Sequence, residues 1–128
     1  MMSIPRFGSV IYAKEFRTLA DFYRKVAGLH VGESTREYVL LTTTDCFLVV
    51  LQMPSRIAET ITIETPPRRR QQTPVKLIFA VESLQTARKV AAANGGELHP
   101  ASREWSFHGL RRCDGVDPEG NVFQLQEA

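Results

Sequence analysis

The sequence predicts an α+β fold made of two βαβββ units in tandem. Three observations carry that prediction. The inferred order of elements, strand then helix then strands, occurs twice along the chain. The segment Arg24-Lys25-Val26-Ala27 in the first helix is echoed by Arg88-Lys89-Val90-Ala91 in the second. Between the two runs lies a stretch of proline, arginine and glutamine that fits neither a strand nor a helix. With 128 residues the chain is expected to be one domain, spanning 1–128, with half-modules at about 1–64 and 73–128 and a connector at 65–72.

Val10-Ile11-Tyr12-Ala13 is a short apolar run that reads as the opening strand. Thr18, three residues ahead of Asp21, is a variant capping box, and Leu19, Phe22, Val26 and Leu29 then recur at nearly 3.6 residues. The first helix is therefore expected over Leu19–Ala27, with Gly28 supplying its left-handed stop. A turn at Glu33-Ser34-Thr35, then Tyr38–Leu41 and Phe47–Leu51, predict three antiparallel strands between Val31 and Met53. Pro54 to Gln72 interrupts this pattern, and its Arg68-Arg69-Arg70 run reads as a solvated, mobile linker or a flap over a binding site.

The second half restarts with a strand at Val75–Val81. Ser83 is placed to cap a helix whose Leu84, Ala87, Val90 and Ala91 share one face, and Asn94-Gly95-Gly96 ends it. Strand signals follow at Trp105–Phe107 and Leu110–Val116. The run Asp117-Pro118-Glu119-Gly120-Asn121 then forms a tight hairpin turn into Val122–Gln126.

Composition narrows the function classes. Sixteen Lys and Arg against fourteen Asp and Glu leave a net charge of +2, too little to indicate a nucleic-acid or anionic-membrane partner. The arginine run has no interleaved aromatics, and the longest apolar run, Cys46–Leu51, is too short to span a bilayer. Met1 to Phe7 shows no apolar signal core, and two cysteines make no disulfide framework, so a reducing cytoplasm is the expected location. Cys46 and Cys113 are expected to be buried, inert thiols.

Two stretches carry a resemblance to a known family. Asp21-Phe22-Tyr23-Arg24-Lys25-Val26-Ala27-Gly28-Leu29 is similar to the first helix, and Asp117-Pro118-Glu119-Gly120-Asn121-Val122-Phe123-Gln124-Leu125 to the closing hairpin, of the vicinal oxygen chelate superfamily. That superfamily includes glyoxalase I, bleomycin-resistance proteins and extradiol dioxygenases. The resemblance implies two βαβββ modules whose sheets curl into a cup with helices outside, a ligand within the cup, and a homodimer.

It also implies where metal-dependent relatives would hold their ligands. Those positions carry Gly8 on the first strand, Gln52 as the nearest match on the last strand of the first half, Lys76, and Gln124. Zinc, iron and nickel need imidazole, thiolate or carboxylate donors, and these residues offer none. His30, His99 and His108 fall elsewhere. The expectation is therefore no metal and no other cofactor.

Strand alternation places Lys76, Ile78 and Ala80 on one face and Leu77 and Phe79 on the packed one; it also groups Gly8, Val10 and Tyr12, and sets Gln124 and Gln126 opposite Phe123 and Leu125. Lys76 has two readings: an ammonium for an anionic ligand oxygen, or a solvated strand-end lysine paired with Glu82 or another carboxylate. Gln52 and Gln124 can hydrogen-bond a ligand or each other. Tyr12, Trp105 and Phe107 supply aromatic surface for a pocket or for packing, with Trp105 expected to be the more exposed of the last two. Arg103, Arg111 and Arg112 lie near Trp105 in sequence as candidate anion clamps or solvated surface charges.

The expected ligand-binding residues are thus Tyr12, Gln52, Lys76, Trp105, Arg112 and Gln124, with no catalytic or metal-binding residue. The expected function is binding of a small molecule with an apolar or aromatic body and an anionic group. Three alternatives stand beside it: a metal-dependent lyase, isomerase or dioxygenase of the same superfamily; a metal-free enzyme using Lys76 or Glu104 as acid or base; and a subunit of a larger protein assembly.

Overall fold

The computed structural model describes residues 5–128; the first four residues, part of the segment read as lacking a signal core, lie outside the described residues. The chain forms β1 (Phe7–Ala13), α1 (Phe16–Ala27), β2 (His30–Ser34), β3 (Tyr38–Thr42), β4 (Cys46–Gln52) and a one-turn helix α2 (Ser55–Ala58). It continues with β5 (Leu77–Val81), α3 (Leu84–Ala93), β6 (Glu97–Leu98), a 3-10 turn (Ala101–Arg103), β7 (Trp105–Phe107), β8 (Leu110–Val116) and β9 (Val122–Glu127).

Both halves close in the same way. The first sheet runs β1-β4-β3-β2 and the second β5-β9-β8-β6, with β7 also paired to β8. β6 pairs with the far end of β8 and β7 with its near end, so the two are pieces of one strand interrupted by the 3-10 turn. Allowing for that break, the order in the second sheet repeats the first. In each half the opening strand runs parallel to the last, β1 to β4 and β5 to β9.

One face of each sheet packs on the helices. α1 contributes Leu19, Phe22, Tyr23 and Val26 to a core that includes Leu41, Leu48 and Val50 from the first sheet and Phe123 and Leu125 from the second. Each of these large side chains contributes about 1.5–3 kcal/mol by leaving water. The alternation read from sequence holds: Leu77 and Phe79 pack on this core while Ile78 is exposed on the other face.

Helix ends follow local chemistry, with one exception. Gly28 stops α1 at φ 69° and Ser83 caps α3, its hydroxyl accepting from the Thr86 N–H. The start of α1 differs from expectation: it begins at Phe16, two residues before Thr18, and no side chain of its own segment caps it. A distant carboxylate substitutes. Both oxygens of Glu119 accept hydrogen bonds, from the backbone N–H groups of Lys14 and Glu15 (2.9 and 2.8 Å). A negative charge at that end is also favoured by the helix dipole.

Glu119 belongs to the hairpin turn, which is fixed by Asp117. Its Oδ1 accepts from the N–H groups of Glu119 and Asn121, and its Oδ2 accepts from the Tyr23 hydroxyl (2.6 Å) and the Asn121 amide. Gly120 sits at φ 90°, where a Cβ would also meet the Arg68 carbonyl oxygen at 2.2 Å, so only glycine fits. The Arg70 N–H donates to the Gly120 carbonyl, and Arg70 bridges to Asn121. The connector expected to be a mobile linker is therefore pinned to this turn. Two smaller differences complete the comparison: β2 runs through Ser34 with a register shift between Val31 and Glu33, and the β5 ladder starts at Leu77.

Burial, and then the neighbouring Asp117 carboxylate, push the Tyr23 hydroxyl well above its usual pKa of 10.0. The neutral phenol is thus the stabilised form: its contribution is complete below pH 10 and is lost as pH rises towards the folded value. Tyr23→Phe should cost about 1–3 kcal/mol at neutral pH, because Asp117 loses a buried donor. Urea titrations at neutral and alkaline pH should show the gap between wild type and variant shrinking as the pH passes 10.

Candidate functional site

The faces turned away from the helices differ in chemistry. On the first sheet, Val10 pairs with Val49, which faces Leu40, and Tyr12 pairs with Leu51, which faces Tyr38. The middle of this face is apolar, with Glu33 beside Leu40 and His30 beside Thr42 at its far edge, and Val10 and Tyr12 are largely exposed. On the second sheet the ladders align Ile78, Gln124 and Asp114 in one row, with the His99 N–H bonded to the Asp114 carbonyl at its end. The next row aligns Ala80, Gln126, Arg112 and Trp105.

A continuous polar chain crosses these rows. The Lys76 ammonium donates to Asp114 Oδ2 at 2.8 Å, the Gln124 amide donates to Asp114 Oδ1 at 3.0 Å, and Arg112 Nη1 donates to Gln124 Oε1 at 2.9 Å. The Arg112 guanidinium lies 4.9 Å from the centre of the Phe107 ring, a cation–π distance, while its Nε is buried without an acceptor. A cleft of about 410 Å³ opens beside this chain, lined by Arg69, Lys76, His99, Asp114 and Val122 among others.

The tertiary structure thus brings three of the six expected residues together, Lys76, Arg112 and Gln124, and aligns Trp105 beside Arg112. It leaves the other two apart. Tyr12 belongs to the first sheet's apolar face. Gln52 pairs with the buried Ala13, on the helix side of the ladder, and its amide donates to the Met53 carbonyl. Lys76 pairs with a carboxylate, as its second reading expected, but the partner is Asp114 rather than Glu82, and Asp114 was not among the named candidates. A signal for it existed: a hairpin closing at 117–121 pairs Val116 with Val122, and counting back two places sets Asp114 opposite Gln124.

The other candidates have settled roles. Glu104 is gripped by Arg88 (2.6 Å) and Arg111 (3.1 Å), and the Arg88 hydrogen bond holds its carboxyl below the usual range against the effect of burial. That geometry suits a structural ion pair rather than an acid or base. Phe107, 52% exposed against 39% for Trp105, is the more open of the two, contrary to expectation. Cys113 is buried, and burial pushes its thiol up; Cys46, expected to be buried as well, is exposed.

The donor set does not fit a divalent metal. The Phe47 ring lies over Gly8, where a Cβ would meet it at 2.2 Å. Lys76 and Gln124 are two places apart on the β5–β9 ladder, since Gln124 faces Ile78. The same offset from Gly8 on the β1–β4 ladder reaches Val10 and its partner Val49, so an aliphatic residue, not Gln52, is the counterpart of Gln124. Among the described residues no three His, Cys, Asp or Glu side chains cluster as a metal site.

The twofold βαβββ plan and this open face have a counterpart in sequence comparison, where the glyoxalase-like domain family matches residues 9–126. The chain belongs to that family. No curated protein matches it in sequence. Among solved structures, it is similar to a glyoxalase/bleomycin resistance protein/dioxygenase family enzyme from Burkholderia phytofirmans, at 18% identity and TM-score 0.70, covering 94% of this chain and 95% of that one. It also resembles a fosfomycin resistance protein from Listeria monocytogenes (14%, TM-score 0.65, 100% and 95% covered). A third similar structure is a bleomycin-binding protein complexed with bleomycin (15%, TM-score 0.59, 94% and 96%). At these identities the likeness is one of fold. Among the described residues, no helix of this glyoxalase-like chain is long and apolar enough to cross a membrane.

His99 stands at the edge of the polar cleft. Burial first, then the Arg69 and Arg103 charges, lower its pKa from 6.5. Its neutral form is favoured in the fold, so its contribution to stability is complete above pH 6.5 and is lost as pH falls through the lowered value. An NMR titration should show His99 ionising below the usual imidazole range, with the midpoint moving up in Arg69→Gln; an unmoved midpoint would mean that Arg69 does not act on the cleft.

Proposed function

We propose that this glyoxalase-like protein binds a small molecule with an apolar or aromatic body and an anionic group, and that it does so without a divalent metal. The observation that carries this reading is the Lys76–Asp114 pair, with side chains 40% and 21% exposed, at a place where metal-dependent relatives keep a donor. An ammonium repels a metal ion but attracts a carboxylate or phosphate oxygen. An ion pair this exposed is worth only about 0–1 kcal/mol, so a ligand oxygen can join or displace Asp114 at little cost.

The remaining features support the same reading. Arg112 and Gln124 extend the polar wall, Trp105 lies beside it, and Val10 and Tyr12 present an apolar face for the ligand's body. Gln52 is the weakest member of the set, since its amide is committed to Met53. Sequestration of this kind needs affinity and shape, with no positioned acid or base. A bleomycin-binding protein of the same fold accords with it. Homodimer formation and a cytoplasmic setting complete the proposal.

The test is a thermal-shift screen of aromatic and aliphatic acids against their neutral analogues, followed by titration of the hits. Lys76→Met should keep the fold while losing about 10–100-fold in affinity for the acid and little for the neutral analogue. Chelation should leave binding unchanged. Unaltered acid affinity in Lys76→Met, or stoichiometric nickel, zinc or iron that supports turnover, would overturn the reading.

A further inference from the structure

β1 and β5 are the outer strands of their respective sheets, each paired on one side only. Between them lies a slot of about 670 Å³, the largest of the clefts described. Its walls are Leu29, Leu41, Leu48, Leu77 and Phe79, together with the Phe47 ring that covers Gly8. Such a volume is within the usual range for a small-molecule site. These wall residues come from both halves and from both faces of the sheets, so the slot leads inward from the open face towards the shared core.

Lys76 and Val75 line this slot and also the polar cleft beside Asp114. The two spaces therefore meet at Lys76. On one side the walls are aliphatic and aromatic. On the other side the lining carries two cations, Arg69 and Lys76, and a single acid, Asp114, with His99 held in its neutral form. An apolar slot joined to a basic cleft at a lysine suits a ligand with an apolar tail and an anionic head.

From this geometry we infer that the slot between β1 and β5 takes the alkyl tail of an amphiphilic carboxylate whose head group lies on Lys76. The inference rests on the proposed anion-binding role of Lys76 and adds the ligand class. Exposed Cys46 also lines the slot, whereas Cys113 is buried in the core, so one thiol reports on occupancy and the other does not.

The experiment uses wild-type protein with hexanoate, octanoate and decanoate below their micelle concentrations, with octanol and benzoate as comparators. Binding is read by calorimetry and by the rate at which a thiol-reactive disulfide reagent modifies Cys46. Each added methylene should tighten Kd about four-fold, as expected for apolar surface leaving water. Saturating decanoate should slow Cys46 modification at least about ten-fold, and octanoate should lose affinity in Lys76→Met while octanol does not. Ala80→Phe, which fills the slot from the exposed face of β5, should weaken decanoate more than hexanoate.

Three results would overturn the inference or both readings. If benzoate binds in a Lys76-dependent way but the alkyl acids show no chain-length gradient, the slot is not the tail site and the cup reading stands. The same holds if decanoate binds without protecting Cys46. If neither class of acid binds, the slot and the anion-binding role of Lys76 fall together.

Discussion

The buried carboxylate of Asp117 ties the two halves of this protein to one another. Burial alone pushes its pKa up, and hydrogen bonds from Tyr23, Asn121 and Glu119 oppose that effect. Four donors on two oxygens let a charge-bearing group sit in the core, where an unpaired one would cost several kcal/mol. Tyr23 comes from the first helix and the other donors from the closing turn of the second half. Glu119, held by the same turn, then reaches back to the chain entering α1. The start of one half is thus capped by the end of the other.

The polar face of the second sheet follows from that turn. Because the turn fixes Val116 opposite Val122, the antiparallel ladder sets Asp114 opposite Gln124 and Arg112 opposite Gln126. A slip of one residue between β8 and β9 would put Asp114 and Arg112 on the opposite face from Gln124 and Gln126. Lys76, immediately before β5, is brought in only because β5 runs parallel to β9 and places Ile78 beside Gln124. Two kinds of ion pair result. The Arg88–Glu104–Arg111 group is short and, at Glu104, nearly buried, as a structural brace is. Lys76–Asp114 is open to solvent and therefore exchangeable.

The two sheets share a plan but not a surface. Equivalent positions on the opening and closing strands carry Val10 and Val49 in the first half, and Ile78 and Gln124 in the second. Duplication of the βαβββ unit thus supplies one apolar wall and one hydrogen-bonding wall, with a slot where the outer strands approach. The symmetric backbone carries two unlike walls. The first is apolar through its middle, with Glu33 only at its far edge beside Leu40. The second holds Arg112, Asp114 and Gln124 along its central rows. The bulk of Phe47 over Gly8 removes one polar position outright.

Local pattern determined a great deal. Period-two alternation set the packed and open faces of β5 and β9, Gly28 and Ser83 marked helix ends, and the Asp-Pro-Glu-Gly-Asn run marked the closing turn, because each depends on neighbours within a few residues. The element order and the two family-like segments were enough to place the chain in its superfamily. What pairs with what across space was decided elsewhere. The cap of α1 comes from a residue 104 positions away, so Thr18 was a reasonable but wrong local choice. The partner of Lys76 lies 38 positions along the chain, and Gln52 fell on the helix side of a ladder whose register its own segment does not specify. Side-chain alternation is a property of one strand; the meeting of Lys76, Asp114, Gln124 and Arg112 is a property of how three strands are registered, and only the packed fold sets that register.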